Sequence, residues 1–555
     1  MFKVKQIMKF EKLEYPLYIA LLLIIASYFF FNLPVTSVDY DLWFHLNGGR
    51  YIAENGKLAT ESFYSFLEPV RNRVDYCWLF RIIIYKIFTN SGYTGLIIFR
   101  NITYFLLLGL IALFLFKGLK TNRSKLFALF FLACYMLILV ARYNNVRPHI
   151  LTYLLLTITI YLFNCSNKKI LLLPLVSIIW LNIHGITFPL LYLLCFAYSL
   201  DFFIKKNFDR HKNNKTKLYS VIFQCTILLS ILSVFITPHG KQLLQLPFKL
   251  TKYTSLIVQE MEIITPSELF SFKINDFTIM PFAIFQIFVV FSSFAIIFAI
   301  KSKKMNLSDL VIFLGAVALC TKGGRFIYVF ALLNLPIVKN YLIFPSDTDN
   351  EKASKTFAWK KYCIVILLML TVTLSFNRMI PEGQKYPLSN KDLPKGIVHF
   401  LKKIDAGGNI LHHPNIGGYL EWELYPKHKI AMDIQVPQLF SEIDCFLIAQ
   451  SLIDEKIFNN FLKQYDIPFV VIPMHMCNLS FMKNRSDYTL VFFDDSEILY
   501  VSNKKYPEIA KTYQIKEIDP YTIETISLSK LNVKQRETMM KELLRLHIIY
   551  PYARQ

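Results

Sequence analysis

The stretch DYDLWFHLNGGRYIAENG, residues 39–56, follows directly on the first long apolar run of the chain, residues 16–34. About 20 apolar residues are what a helix needs to cross ~30 Å of hydrocarbon, so this stretch sits where a first span delivers its end to water. Two acids, a histidine and a glycine pair stand at that lip. The segment ahead of the run, MFKVKQIMKFEKLEY, is basic, but the run carries no small-residue cleavage site and reads as a retained span.

Outward from this stretch the pattern repeats. Of 555 residues, 54% are hydrophobic and only 18% charged, and mean hydropathy is +0.40, more apolar surface than one soluble core hides. Apolar windows fall at residues 16–34, 93–116, 126–141, 149–164, 170–182, 186–204, 218–236, 281–300, 307–320, 326–343 and 362–376. The expected fold is therefore a polytopic α-helical membrane protein of about 11 transmembrane helices. With the N-terminus cytoplasmic, the loops KGLKTNRSK (117–125), SNKK (166–169), IKKNFDRHKNNKTK (204–217), KSKK (301–304) and the segment ending at AWKK (358–361) all fall inside, and all are rich in Lys or Arg, as the positive-inside rule requires. That bookkeeping holds only if CWLFRIIIYKIFTN (77–90), with Arg81 and Lys86 among aromatic and aliphatic residues, lies along the interface instead of crossing.

The net charge of +22 is thus spent on topology, and nucleic acid is not an expected partner. The nine cysteines show no CxxC pair or zinc spacing, although Cys445 and Cys477 could pair in an oxidising compartment. P-loop, dinucleotide-binding and HExxH patterns are absent, which argues against ATP hydrolysis and metalloprotease chemistry.

Residues 377–555 change character. Strand-like NILHH, KIAMDI, PFVVIP, YTLVFF and EILYVSN alternate with helical patterns such as DCFLIAQSLIDEKIFNNFLKQY, the mark of a soluble α/β domain. The expected organisation is a transmembrane domain over residues 1–376, with a first outer loop (37–92) and a long outer loop (237–280), followed by an extracytoplasmic α/β domain over 377–555.

The outer ends of the spans collect Asp39, Asp41, His45, Arg142, Arg147, His149, His184, His239, Glu260, Glu262, Lys322 and Arg325. Any one of them is explained by snorkelling to headgroups or by a local strut. As a set on one face they point to a shared cavity, because ionisable groups at membrane depth are expensive. Carboxylates at the lip suit a general base or a divalent cation, and arginine and lysine suit phosphate oxygens. Together they imply a phosphate-bearing lipid as substrate.

These residues carry a resemblance. DYDLWFHLNGGRYIAENGKLATESFYSF resembles the first outer loop of bacterial membrane proteins of the GT-C glycosyltransferase superfamily typified by DPDLWWHLRTGE. VRPHILTYLLL (146–156), IIWLNIHG (178–185), TPHG (237–240), GGRFIYVFALLNLP (323–336), NIGGYLEWELYPKHKIAMDI (415–434) and YTLVFFDDSEILYVSN (488–503) follow in the same order. More distantly, the loop is similar to that of lipid A aminoarabinose transferases and protein O-mannosyltransferases. Laying Gly56 on their loop glycine puts Asp41 on the acid regarded there as catalytic or metal-holding, with Asp39 accessory and Gly92 and Arg100 opening the second span. Their Lys-Pro-Pro is replaced by VDYCW (74–78), so Arg71, Arg73 or Arg325 would have to bind phosphate.

The resemblance implies a glycosyltransferase of a bacterial inner membrane, moving a sugar from a polyprenyl-phosphate donor to a glycan, lipid or protein acceptor on the extracytoplasmic face. Asp41 is the base or, with Mg or Mn, the metal-holding acid. His45, Arg147, His149, His184, His239, Glu260, Lys322 and Arg325 are the substrate-binding candidates. A flippase of lipid-linked glycan and a non-catalytic scaffold in envelope polysaccharide assembly are the competing readings. A transporter would place broken helices at the bilayer midplane and repeat its topology, whereas here the charges gather at one end of the spans.

Overall fold

Each apolar window of the sequence forms helix. The computed structural model describes residues 2–36, 39–165, 168–208, 214–248, 264–265, 280–343, 355–379, 386–389, 393–436, 438–521 and 531–551. Among these, seven helices are long and apolar enough to cross a membrane: Leu13–Asn32, Trp78–Phe116, Asn122–Tyr143, Lys169–Lys205, Leu218–Ile236, Pro281–Lys301 and Trp359–Arg378. Two further apolar helices, His149–Phe163 and Leu307–Cys320, are shorter. The windows at 170–182 and 186–204 run together through a 3-10 turn at Gly185–Thr187, and the window at 326–343 is built from short pieces, Ile327–Leu333, Leu335–Ile337 and a π turn at Val338–Leu342. The protein is an integral membrane protein.

The chain divides into two compact units. One, the helical unit, comprises Met1–Val35 and Ile87–Pro387; the other, the α/β unit, comprises Thr36–Lys86 and Leu388–Gln555. Residues 36–86 thus pack with the C-terminal segment.

In the helical unit the outer surface is apolar: Leu113 and Ile366 are each 67% exposed and Phe294 70%, as lipid-facing side chains are. Tyr104, Tyr135 and Tyr143 are fully buried, and their hydroxyls donate to the carbonyls of Met136 (2.7 Å), Ala331 (3.0 Å) and Ile150 (2.7 Å). The helix Trp78–Phe116 breaks at Gly92, whose φ of 57° is in the left-handed region, so residues 78–91 and the helix after them are separate segments. Arg100 has no exposed surface; its guanidinium donates to the carbonyls of Phe30 (3.1 Å) and Leu33 (2.7 Å), closing the carbonyl end of the first helix.

The α/β unit carries a five-stranded mixed sheet. Its order is His428–Ile430, Gly408–Leu411, Phe469–Pro473, Glu497–Ser502, Tyr488–Phe493; the first three strands are parallel and the last two form an antiparallel hairpin. The strands fall where the sequence pattern put them. The helical stretch after residue 440 divides into Glu442–Ser451, opened by a Ser441 capping box, and Glu455–Gln464, opened by the Asp454 side chain. Cys445 carries a free thiol, and the side chain of Cys477, the partner the sequence offered, lies outside the described residues.

The edge strand His428–Ile430 is covered by residues 64–66. Phe66 N–H donates to the Ile430 carbonyl (3.1 Å) and Ile430 N–H to the Tyr64 carbonyl (3.1 Å), so Ser65 extends the sheet in parallel register.

Candidate functional site

The 39–56 stretch becomes the helix Asp41–Asn55, capped by Gly56 at φ 64° with its N–H on the Ile52 carbonyl. Its glycine pair answers to packing. A Cβ on Gly49 would lie 2.3 Å from the Arg81 carbonyl oxygen, and one on Gly418 of the facing helix Pro414–Leu424 would lie 3.0 Å from the Trp43 Cβ. The two helices meet through Asn47 donating to the Gly418 carbonyl (2.9 Å), Trp43 edge-on to Tyr419 (4.8 Å) and Arg50 over the Trp422 ring (4.5 Å).

Behind them is a buried polar network. Arg81 Nη1 pairs with Asp75 (3.1 Å), and Arg81 and Arg73 both donate to Gln435 Oε1 (3.0 and 3.2 Å). Gln435 Nε2 donates to Asp433 (2.6 Å), which also accepts from the Tyr64 hydroxyl (2.8 Å). Arg71 reaches Asp444 at 2.9 Å. Of the three arginines able to replace the missing Lys-Pro-Pro lysine, Arg71 and Arg73 are therefore engaged in holding the loop. Arg81, read from sequence as a lipid-interface residue, is 2% exposed and ion-paired. A guanidinium taken out of water needs such a partner.

Asp39 is 1% exposed and its carbonyl accepts from Leu42 N–H (3.1 Å). His45 is 3% exposed, with Nδ1 3.8 Å from Cys77 Sγ and its ring edge-on to Phe80. Burial, then the Asp75 carboxylate, with a smaller push from Asp41, hold the Cys77 thiol well above its ordinary range. Asp41 itself, in the first turn of its helix, remains half-buried while Asp39 and Asp75 are enclosed.

In the helical unit a basic group assembles. His149, the first residue of its helix, contacts the Arg142 carbonyl through Nε2 (2.8 Å), and His184 Nδ1 contacts Thr152 Oγ1 (2.7 Å). Arg142, Arg147 and His184 lie within electrostatic range of His149, and Arg325 and Arg142 within range of His184. Five of the sequence candidates are thus brought together from three separate stretches of chain. Lys322 and Arg325 are exposed in the TKGGR turn, and His239 precedes the helix Gly240–Gln245, its carbonyl accepting from Gln242 (2.8 Å). Glu260 lies outside the described residues.

The archaeal oligosaccharyltransferase AglB from Archaeoglobus fulgidus, solved in complex with an inhibitory peptide and a dolichol-phosphate, superposes with a TM-score of 0.53 at 11% identity, covering 84% of this chain and 70% of that one. The fold is GT-C-like. ArnT from Cupriavidus metallidurans bound to undecaprenyl phosphate scores 0.49 at 10% identity, covering 87% of this chain and 97% of that one. No protein-family model and no curated protein matches the chain, so the narrower DPDLWWHL-type resemblance rests on the quoted motifs.

In the α/β unit the sequence reading missed a cavity of about 410 Å3, lined by Tyr40, between the two loop aspartates, and by His413, His475, Asp495, Ser496 and Glu497 among others. The signal was present as short polar tails after strand patterns, HH after NIL and MH after VVIP. Among the described residues no group of three or more His, Cys, Asp or Glu could hold a metal ion. Among the described residues, the groups around Asp41 therefore do not form a cage for Mg or Mn.

Proposed function

We propose that this protein is a membrane glycosyltransferase that moves a sugar from a polyprenyl-phosphate carrier to an acceptor on the extracytoplasmic face of a bacterial inner membrane, with its N-terminus cytoplasmic. The observation that carries the reading is the GT-C-like fold combined with Asp41, the acid that stays half-buried at the head of the loop helix while Asp39 and Asp75 are enclosed.

Asp41 is the general base. It takes the proton from the acceptor hydroxyl or amine as that nucleophile attacks the anomeric carbon, and the phosphate leaves with the bonding pair, inverting the centre. Asp39, enclosed beside it, is an accessory carboxylate that helps set the position of Asp41. The leaving phosphate is tolerated only where cations neutralise its charge in a low-dielectric setting. In the helical unit the candidates for that role are the guanidinium groups of Arg142, Arg147 and Arg325 and the ammonium group of Lys322, with His149, His184 and His239 as further hydrogen-bonding groups; in the α/β unit His45 supports the loop from inside.

The test uses purified protein in proteoliposomes with a polyprenyl-phosphate sugar labelled in the sugar. The expected result is loss of label from the lipid and release of polyprenyl phosphate. Movement of intact labelled lipid between leaflets with no cleavage would replace the transferase reading with that of a flippase.

A further inference from the structure

The cavity beside Tyr40 lies at a particular place in the sheet. The strand Gly408–Leu411 sends its chain through the helix Pro414–Leu424 to the edge strand His428–Ile430 on one side, whereas the parallel strand Phe469–Pro473 has the hairpin strand Glu497–Ser502 on the other. Between the carboxyl ends of two parallel strands whose connections part in opposite directions, a crevice opens, and open α/β sheets bind ligands there. His413 and His475 are the second residues beyond those two strand ends, and Glu497, paired with Pro473, begins the strand returning from the same edge.

The hairpin turn is locked so as to present its acids. Asp494 Oδ1 accepts from Ser496 N (3.0 Å), Ser496 Oγ (2.9 Å) and Glu497 N (2.9 Å), and Oδ2 accepts from Gly396 N (2.9 Å) and Ile397 N (3.2 Å). With Asp494 consumed by the backbone, Asp495 and Glu497 line the cavity. Glu497 is 4% exposed, and its Oε2 makes no hydrogen bond among the described residues. A buried polar atom with no partner costs about 1–3 kcal/mol unless a ligand or water supplies one. Burial and the neighbouring Asp494 hold the Glu497 carboxyl well above its ordinary range, which favours its protonated form. Burial, then His475, bring His413 down to about 4, so its imidazole is uncharged.

The lining decides the ligand class. None of its ten described residues is Lys or Arg, and the N-terminus of the helix Pro414–Leu424 is already capped by His413 accepting from Asn415 N. A phosphate would meet two carboxyl groups and no cation. Hydroxyl, amide, imidazole and carboxyl groups in alternation, with the Tyr40 ring at the side, suit a polyol that both donates and accepts. The volume falls within the roughly 300–1,000 Å3 usual for small-molecule sites.

We propose that this crevice binds an uncharged sugar ring, which in the transferase reading above, on which its role rests, is the glycan portion of the acceptor. The unpartnered Glu497 carboxyl hydrogen-bonds a ring hydroxyl, and Asp495 and His475 at the mouth complete the hydrogen bonds of the sugar.

The experiment is saturation-transfer NMR on the full chain in detergent micelles, with methyl glycosides of glucose, galactose and N-acetylglucosamine as probes and pyrophosphate as the contrasting anion. Turnover of labelled polyprenyl-phosphate sugar is followed in the same preparations. At least one glycoside is expected to bind, and Glu497→Gln, Asp495→Ala and His475→Ala each to weaken it about tenfold. Asp495 and His475 are exposed, so their variants keep the test decisive if Glu497→Gln fails to fold. No glycoside binding, binding indifferent to all folded variants, or pyrophosphate taking the site instead would overturn the inference. Turnover without glycoside binding sinks the crevice and spares the transferase; glycoside binding sensitive to the variants, without turnover, does the reverse.

Discussion

Gly49 is where a single hydrogen is required. Its missing side chain lets the loop helix approach the Arg81 backbone, where a Cβ would stand 2.3 Å from a carbonyl oxygen that belongs to another helix. Gly49→Ala therefore forces the two helices apart and is expected to cost about 1–3 kcal/mol, seen as a lowered melting temperature by tryptophan fluorescence of the full chain. An unchanged melting point would mean the helices do not pack as described. Next to it, Asp75 and Arg81 are 2% exposed each and pair at 3.1 Å. Arg81→Met alone leaves a buried carboxylate and is expected to destabilise by about 3–5 kcal/mol, while Asp75→Asn with Arg81→Met recovers most of that loss. Additive losses would show that the pair is not coupled.

At the scale of elements, helix ends and sheet edges are closed by side chains that composition alone does not single out. Arg100, which the resemblance placed at the opening of the second span, closes the carbonyl end of the first helix through Phe30 and Leu33. The α/β unit also stores its pH response here. His412 is fully buried, its Nδ1 donating to the His413 carbonyl (2.8 Å) and its Nε2 accepting from Ala431 N (3.2 Å), and burial lowers it to about 4. Its folded value is depressed, so its stabilisation is complete above the ordinary value of 6.5 and drains as pH falls from 6.5 toward 4, reaching about 3 kcal/mol. Glu421 and Glu497 are raised, chiefly by burial and then by a neighbouring carboxylate. Their stabilisation is complete below 4.5 and is lost as pH rises through their elevated folded values. The two responses oppose each other in sign, and His412→Gln should flatten the acid limb in a thermal-unfolding series. An acid limb unchanged in that variant would remove His412 from the account.

For the molecule as a whole, periodicity and charge were enough to locate the helical windows and the five strands, because burial in lipid and in a sheet leaves direct marks in the sequence. YTLVFF and EILYVS alternate or run apolar as strands do, and each became one. The grouping of residues 36–86 with the C-terminal segment was not legible, since Arg73, Arg81 and Gln435 are up to 362 positions apart and their charges read locally as interface residues. The candidate site was legible in its basic part, where span ends already place Arg147, His149 and Arg325 on one face. The crevice was hidden because a topological switch point depends on strand order, and strand order is set by contacts no short window contains.

The central claim is that Asp41 is the base of a sugar transfer. The most direct measurement is the single-turnover rate at which the purified protein, supplied with acceptor, consumes a labelled polyprenyl-phosphate sugar, compared between the native chain and Asp41→Asn of equal melting temperature. A fall of about 10²–10⁴-fold is predicted. Equal rates in the two proteins would contradict the account.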